Sequence, residues 1–217
     1  MPSPVKVDIW SDIACPFCYI GKRNFEAGAA SSGVPVEIEY HSFELSPDTP
    51  DDYSGTHAKK IAEKMRITID EALAMERRTT EVARGAGIEI DYRKMKPAKT
   101  LTAHQLLHYA KREGKQAELK ERLMAAYFTE GRHVGHISEL AALASEIGLD
   151  HDEVVRVLES GEYAAAVAAD IQQAQAYGIR GVPFFVIDGK YAVSGAQSTG
   201  SFAEVITRAS QDKAAAS

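Results

Sequence analysis

Residues 11–19 contain both cysteines of the 217-residue chain, Cys15 and Cys18. Before them, apolar and polar residues alternate over residues 5–10, which predicts a strand. After them, apolar residues recur at helical spacing, which predicts a helix. Cys15 would then stand at the start of that helix, with Pro16 at the first helical position, where its missing N–H costs nothing.

This placement predicts reactive thiols. Residues i and i+3 share a helix face, so the sulfurs of Cys15 and Cys18 can meet. The unpaired N–H groups of the first turn favour a negative charge at Cys15. Cysteines in such motifs have a pKa of roughly 3.5–7.5 instead of about 8.5. A thiolate with a partner one turn away is suited to thiol–disulfide exchange.

Two other interpretations of the cysteines are an inert core pair and half of a zinc site. A helix start that follows a strand is not a core position for both residues. A zinc site needs about four ligands, and the pairs His133/His136 and His104/His108 have suitable spacing. A lone histidine pair is more often an ordinary surface or core feature, so redox function is favoured.

Length and charge limit the remaining possibilities. A chain of 217 residues is large for one minimal domain, which suits one domain with a large insertion. The net charge of −6, with no stripe of Lys and Arg, gives no reason to expect nucleic acid. No apolar run of about 18 residues predicts a membrane span. The first residues lack the apolar core of a signal peptide, so we expect a cytoplasmic protein whose cysteines are kept reduced.

The order of predicted elements is strand, helix, strand, a helical block, then a hairpin and a last helix. A second strand is predicted over residues 36–41, and a right-handed parallel connection would join it to the first. Residues 57–178 have helical patterns almost throughout, in some seven helices. Phe184–Ile187 is apolar on both faces and is followed by the turn signal Asp188-Gly189. The last helix is predicted from about residue 201 to 210.

Gly181-Val182-Pro183 directly precedes the strand Phe184–Ile187. A proline that enters a buried strand is unusual unless it serves a turn. A cis Val182–Pro183 bond would make that turn and leave the neighbouring backbone groups free to face a ligand. A trans proline at the start of the strand is the plainer alternative.

Together these residues resemble the thioredoxin superfamily, and the helical block resembles its DsbA branch. More closely, about residues 4–210 resemble the FrnE-like, cytoplasmic DsbA-type oxidoreductases. The resemblance implies an α/β thioredoxin-like fold with a large all-helical insertion. The thioredoxin-like domain would comprise residues 1–48 and 179–217, and the insertion residues 49–178. The matching stretches are residues 12–21, 43–47, 102–105, 126–131 and 194–197.

The resemblance also implies roles for single residues. Cys15 would be the attacking cysteine and Cys18 the resolving one. Pro183 would be a cis proline against the pair, and Val182 would offer its backbone to a bound peptide or thiol. Phe17 stands where this group often has Trp, so it is a candidate substrate contact.

His104 lies in the helical block, which covers the active site in this family. It would bind substrate or favour a thiolate at Cys15. The alternative for His104 is a helix histidine bonded to a neighbouring carbonyl.

The implied activity is that of a protein disulfide oxidoreductase or isomerase without metal or organic cofactor. Its partners would be thiol- or disulfide-containing proteins or small molecules, with glutathione as a candidate co-substrate, and it would be a monomer or a homodimer. The same fold carries glutathione-dependent enzymes related to 2-hydroxychromene-2-carboxylate isomerase, which typically have serine where Cys15 stands. A peptide-binding chaperone that uses the groove between the halves is the third hypothesis.

Overall fold

The computed structural model describes residues 3–215 of the chain. Its sheet has four strands in the order β2-β1-β3-β4. β1 (Val5–Ser11) pairs in parallel with β2 (Val36–Ser42) and antiparallel with β3 (Phe184–Ile187). β4 (Tyr191–Ser194) completes the hairpin with β3. The predicted turn between them is confirmed, since Asp188 and Gly189 both have positive φ angles.

Two helices cover one face of the sheet. They are α1 (Pro16–Ser32) and α9 (Thr199–Ala215), and α9 extends beyond the predicted end near residue 210. Phe25 of α1 and Phe202 of α9 pack on Phe185 of β3, with ring centroids 5.5 and 4.7 Å away. At Gly28 the two helices approach so closely that a Cβ would lie 2.7 Å from the Phe202 Cβ. This packing fixes the direction of α1 and therefore the position of the cysteines at its start.

The predicted helical block lies between β2 and β3 along the chain. The seven α-helices described in residues 3–215 between these strands are α2 (His57–Met65), α3 (Ile69–Gly85), α4 (Leu101–Arg112), α5 (Gln116–Ala125), α6 (Ile137–Ser145), α7 (His151–Ser160) and α8 (Ala164–Ala176). The cluster of buried apolar side chains in this block includes Cys15 and Cys18 as well as residues from α4 to α7, so the block closes over the cysteine pair. The last helix of the block, α8, also packs Ala174 against Trp10 on the second face of the sheet.

Two helix ends in the block have particular local structures. The chain continues from α5 into a π-helical turn over Ala126–Glu130, closed by a left-handed Gly131. α3 begins after Thr68, which forms a reciprocal capping box with Glu71. Within residues 3–215, no helix combines the length and apolar character needed to cross a membrane.

Candidate active site

Cys15 is the N-cap residue of α1, and Pro16 follows it in the first turn, as the sequence predicts. The Cys15 carbonyl accepts hydrogen bonds from the N–H groups of Cys18 and Tyr19, at 3.0 and 3.3 Å. The sulfur atoms of the two cysteines lie 3.4 Å apart, and neither is in a disulfide. Both side chains are nearly buried, with 4% of Cys15 and 2% of Cys18 exposed. Cys15 lines a cleft at the surface, whereas Cys18 is not among the residues that line it.

The loop before β3 lies directly against Cys15. The Val182–Pro183 bond is cis, which confirms the prediction. The Cys15 thiol lies 3.7 Å from the Val182 carbonyl oxygen and can donate to it. The Pro183 carbonyl accepts a 2.8 Å hydrogen bond from the Gly195 N–H, which fixes the loop to the far end of β4. A Cβ at Gly21 of α1 would lie 2.9 Å from the Pro183 Cγ, so this glycine allows the loop to approach the helix.

The pKa values of the two thiols depend on each other. The pKa of Cys15 is raised, because its thiol hydrogen-bonds Cys18 and because burial opposes a second charge beside it. Burial also opposes ionisation of Cys18, but the hydrogen bond from Cys15, the Lys120 ammonium and the Ser11 hydroxyl lower the pKa of Cys18. The pair therefore releases its first proton far more easily than its second. The position of Cys15 at the helix N-terminus predicted a thiolate on Cys15. In the structure the surrounding groups favour the thiolate on Cys18 instead.

Lys120 of α5 is the buried cation at this pair. Only 1% of its surface is exposed, and its Nζ lies 3.5 Å from the Ser11 carbonyl oxygen and 5.7 Å from the centre of the Tyr40 ring. Burial lowers its pKa to about 8, although the neighbouring Cys18 and Asp12 favour its charge. A cation in this position stabilises the anion of the dithiol.

Asp12 shapes the loop that leads into the cysteines. Its carboxylate accepts hydrogen bonds from the N–H groups of Ala14 and Leu45, at 3.4 and 2.8 Å. Burial opposes the ionisation of Asp12, but His104 and the Leu45 N–H together lower its pKa to about 2. Asp12 therefore carries a permanent negative charge near the pair at neutral pH.

The expected roles of His104 are corrected by the structure. Its side chain is fully buried, with Nε2 3.4 Å from Asp12 Oδ1, and it does not line the cleft. Burial lowers its pKa, so a neutral imidazole is favoured over the imidazolium that would tune Cys15. His104 supports Asp12 from inside the helical block and has no access to substrate.

The cleft beside Cys15 lies between α1 and the hairpin of α2 and α3. Its wall includes Phe17, which is 45% exposed. Met75 and Tyr92 add apolar surface, and Lys60 and Lys64 add charge. Lys60, Lys64 and Lys120 were not among the site residues predicted from the sequence. One signal was available for Lys120, because it falls on the helix face that also carries Gln116 and Leu123, where a solvated lysine is unexpected.

Histidines and carboxylates come together elsewhere in the described residues, but without a cysteine. One group is Asp52, His133 and His136. His133 Nδ1 accepts from the N–H groups of Gly135 and His136, and its Nε2 bonds the Asp51 carbonyl. Both ring nitrogens of His133 are therefore in use, which argues against this group as a half-site for zinc.

Comparison with known proteins gives a family match over nearly the whole chain. The model of the DSBA-like thioredoxin domain matches residues 6–207. The crystal structure of a probable DsbA oxidoreductase from Streptomyces coelicolor is 36% identical, with a TM-score of 0.87. The alignment covers 94% of this chain and 89% of that one.

Two more distant structures share the fold. One is the cytosolic disulfide reductase DsbM from Pseudomonas aeruginosa with GSH, 16% identical with a TM-score of 0.62, covering 97% of this chain and 96% of that one. The other is a 2-hydroxychromene-2-carboxylate isomerase, 17% identical with a TM-score of 0.70, covering 98% and 99%. The fold is thus common to proteins of different activity, so the fold alone does not determine the activity of this chain.

Proposed function

The chain belongs to the family of DSBA-like thioredoxin domains, and we propose that it is a thiol–disulfide oxidoreductase of the cytoplasmic FrnE type with Cys15 and Cys18 as its redox pair. One observation carries the proposal: two thiols 3.4 Å apart at a helix start, with Cys15 alone open to a cleft. An isomerase that only binds glutathione has no use for the second thiol.

In the proposed reaction the Cys15 thiolate attacks one sulfur of a substrate disulfide. A bond forms between Cys15 and that sulfur, and the other substrate sulfur leaves as a thiolate. The Cys18 thiolate then attacks the Cys15 sulfur, which releases the second substrate thiol and leaves the Cys15–Cys18 disulfide. The substrate gains two electrons, the pair loses two, and the two protons of the dithiol end on the substrate thiols. The reverse sequence oxidises a dithiol.

The described residues support each step. The negative charge of the pair is favoured on Cys18, 3.4 Å from Cys15, so the Cys18 thiolate can take the Cys15 proton when Cys15 attacks the substrate. The Lys120 ammonium favours the anion of Cys18, which is the second nucleophile. The Val182 carbonyl, 3.7 Å from the Cys15 sulfur, supports our proposal that this backbone pairs with an extended substrate. We include glutathione as a candidate co-substrate and the cytoplasm as the compartment, where thiols are kept reduced.

The test compares Cys15→Ser and Cys18→Ser with the natural sequence. We expect Cys18→Ser to accumulate a mixed disulfide with bis(2-hydroxyethyl) disulfide, seen by mass spectrometry, because the resolving step is missing. Cys15→Ser should form none at the same pH, because only Cys15 borders the cleft. A stable adduct on Cys18 in Cys15→Ser, together with no adduct on Cys15 in Cys18→Ser, would reverse the assigned roles.

The other two hypotheses have distinct outcomes in the same experiment. Glutathione-dependent turnover of a hydroxychromene carboxylate that survives in Cys15→Ser would favour an isomerase. Full suppression of protein aggregation by the variant lacking both cysteines, without any exchange activity in the natural sequence, would favour a chaperone.

A further inference from the structure

The cleft beside Cys15 differs in charge from the rest of the chain. The chain has a net charge of −6, yet the acidic side chains lining the cleft are already paired. Asp12 accepts hydrogen bonds from backbone N–H groups, and Glu76 bonds His57 Nδ1 at 2.7 Å. Asp12 keeps its negative charge but is buried, and Glu76 is bonded to His57, so the charged side chains of the cleft that are most open to a ligand are those of Lys60 and Lys64.

Lys60 is the clearest of these charges. It lies in α2, is half-buried, and lines the cleft with Cys15. Its ammonium makes no hydrogen bond or ion pair with any residue that the structure describes. Burial lowers its pKa, while Asp12 opposes the change. A partly desolvated cation without a hydrogen-bonding partner gains more from an incoming anion than a fully solvated one does.

Lys64, one turn later, differs from Lys60. Its ammonium donates 2.7 Å hydrogen bonds to the Leu45 carbonyl and to the Ser46 hydroxyl. These bonds hold α2 against the loop after β2, so Lys64 fixes the rim of the cleft. Lys60 is the cation that remains available inside it.

The size and the walls of the cleft restrict the ligand further. The cavity has a volume of about 210 Å³, which is below the roughly 300–1,000 Å³ of sites for drug-sized ligands. Phe17, Ile61 and Met75 supply apolar surface in the cleft that Cys15 and Lys60 also line. A ligand that satisfies these features has a sulfur, a short carbon chain and an anionic end.

We propose that Lys60 is a specificity-determining residue of the cleft and selects small disulfides and thiols that carry a carboxylate a few bonds from the sulfur. This inference rests on the proposed function, since Cys15 supplies the reaction that Lys60 directs. The carboxylate binds Lys60 while the short chain crosses the apolar wall and places its sulfur at Cys15. Exchange then proceeds as described, with the dithiol oxidised and two small thiols released.

The test uses three disulfides of similar length and different charge. These are 3,3′-dithiodipropionate, bis(2-hydroxyethyl) disulfide and cystamine, which are anionic, neutral and cationic at neutral pH. The rate constant for oxidation of the reduced full-length protein by each is measured in a single turnover. We expect the anionic disulfide to react about tenfold faster than the cationic one, a preference that falls as salt is added.

Lys60→Met should remove most of that preference, and Lys60→Glu should reverse it in favour of cystamine. The matched control is Lys59→Met, one residue away on the same helix. Lys59 is exposed, lies 3.8 Å from Glu63 in an ion pair, and does not line the cleft. This variant makes the same change in net charge and should retain the natural preference within about twofold, as expected for a screened surface charge.

An unchanged preference in Lys60→Met and Lys60→Glu would overturn the inference, and so would an equal loss in Lys59→Met. Either result would leave the proposed function standing, because exchange itself would continue. Failure of the natural sequence to react with any of the three disulfides would instead remove the proposed function and the selectivity that depends on it.

Discussion

Replacing Lys120 by Met should make the protein more stable and its cysteine pair less reactive. Lys120 is buried beside Cys18, and its pKa is lowered from 10.5 to about 8 by burial. Methionine is unbranched and of similar length, so it can occupy the space that the aliphatic part of lysine fills. The change removes a buried charge while retaining most of the packing.

The magnitude follows from the pKa. At about 1.36 kcal/mol for each pKa unit, a change from 10.5 to about 8 means that the folded state holds the Lys120 proton about 3 kcal/mol less favourably than the unfolded chain. The hydrogen bond to the Ser11 carbonyl is long, and its loss costs about 1 kcal/mol. We therefore expect Lys120→Met to raise the free energy of unfolding by about 2–3 kcal/mol at pH 7.

The stability gained in Lys120→Met depends on pH. A lysine whose folded-state pKa is depressed destabilises the fold fully below about pH 8, and the cost disappears as the pH rises towards 10.5. By pH 10 the remaining cost of the natural lysine is below about 1 kcal/mol. The gain from Lys120→Met should therefore shrink steadily between pH 8 and pH 10.

The assay is urea unfolding of both proteins at pH 7 and pH 10 with the cysteines reduced, together with the rate of alkylation as a function of pH. The alkylation profile of Lys120→Met should move to higher pH, because Cys18 loses the cation that lowers its pKa. Lys59→Met again serves as the exposed control and should change neither measurement. A variant that is less stable at pH 7, or a gain of the same size at both pH values, would refute the reasoning.

Two further predictions concern the packing and charges that hold the site together. Gly28→Ala should lower the free energy of unfolding by about 1–3 kcal/mol, because its Cβ would overlap Phe202, whereas Gly85→Ala, which meets nothing within 4 Å, should be neutral or stabilising in the same urea measurement. Asp170→Asn should cost on the order of 3 kcal/mol at pH 7, because its carboxylate bonds His41 Nδ1 and the Ser42 N–H and has a lowered pKa. The stability that the ionised Asp170 carboxylate contributes is present above pH 3.8 and is lost as the pH falls further. Asp170→Asn should therefore lose less stability than the natural sequence on acidification below pH 4.

The sequence predicted those features of the site that depend on local pattern. The alternation over residues 5–10, followed by Cys15 and Pro16, determined the strand, the helix start and the placement of the thiols. These inferences use neighbours within a few residues, where chain geometry leaves few choices. The position of Pro183 before an apolar strand left both cis and trans bonds open, and the family resemblance implied the cis bond that the structure contains.

Features that depend on distant residues could not be predicted in the same way. Lys120 reaches Cys18 across 102 positions of sequence, and Lys60 reaches the cleft of Cys15 through the packing of a separate helix hairpin. His104 shows the same limit, because its helix was predicted but the direction of its side chain was not. Helical spacing places a residue on a face, and only the packing of the helices decides which face meets the thiols.

The functional groups of the site come from two parts of the chain. The sheet and α1 supply the thiols and the loop of Val182, while the helical block supplies both lysines. Lys120 acts from the interior on Cys18 and the charge of the pair, and Lys60 acts from the cleft on the incoming molecule. A cation buried beside the pair changes the pKa of the thiols and so affects exchange with every substrate. A cation in the cleft instead distinguishes one substrate from another. The helical block can therefore change substrate preference through α2 while α5 keeps the chemistry of the pair constant.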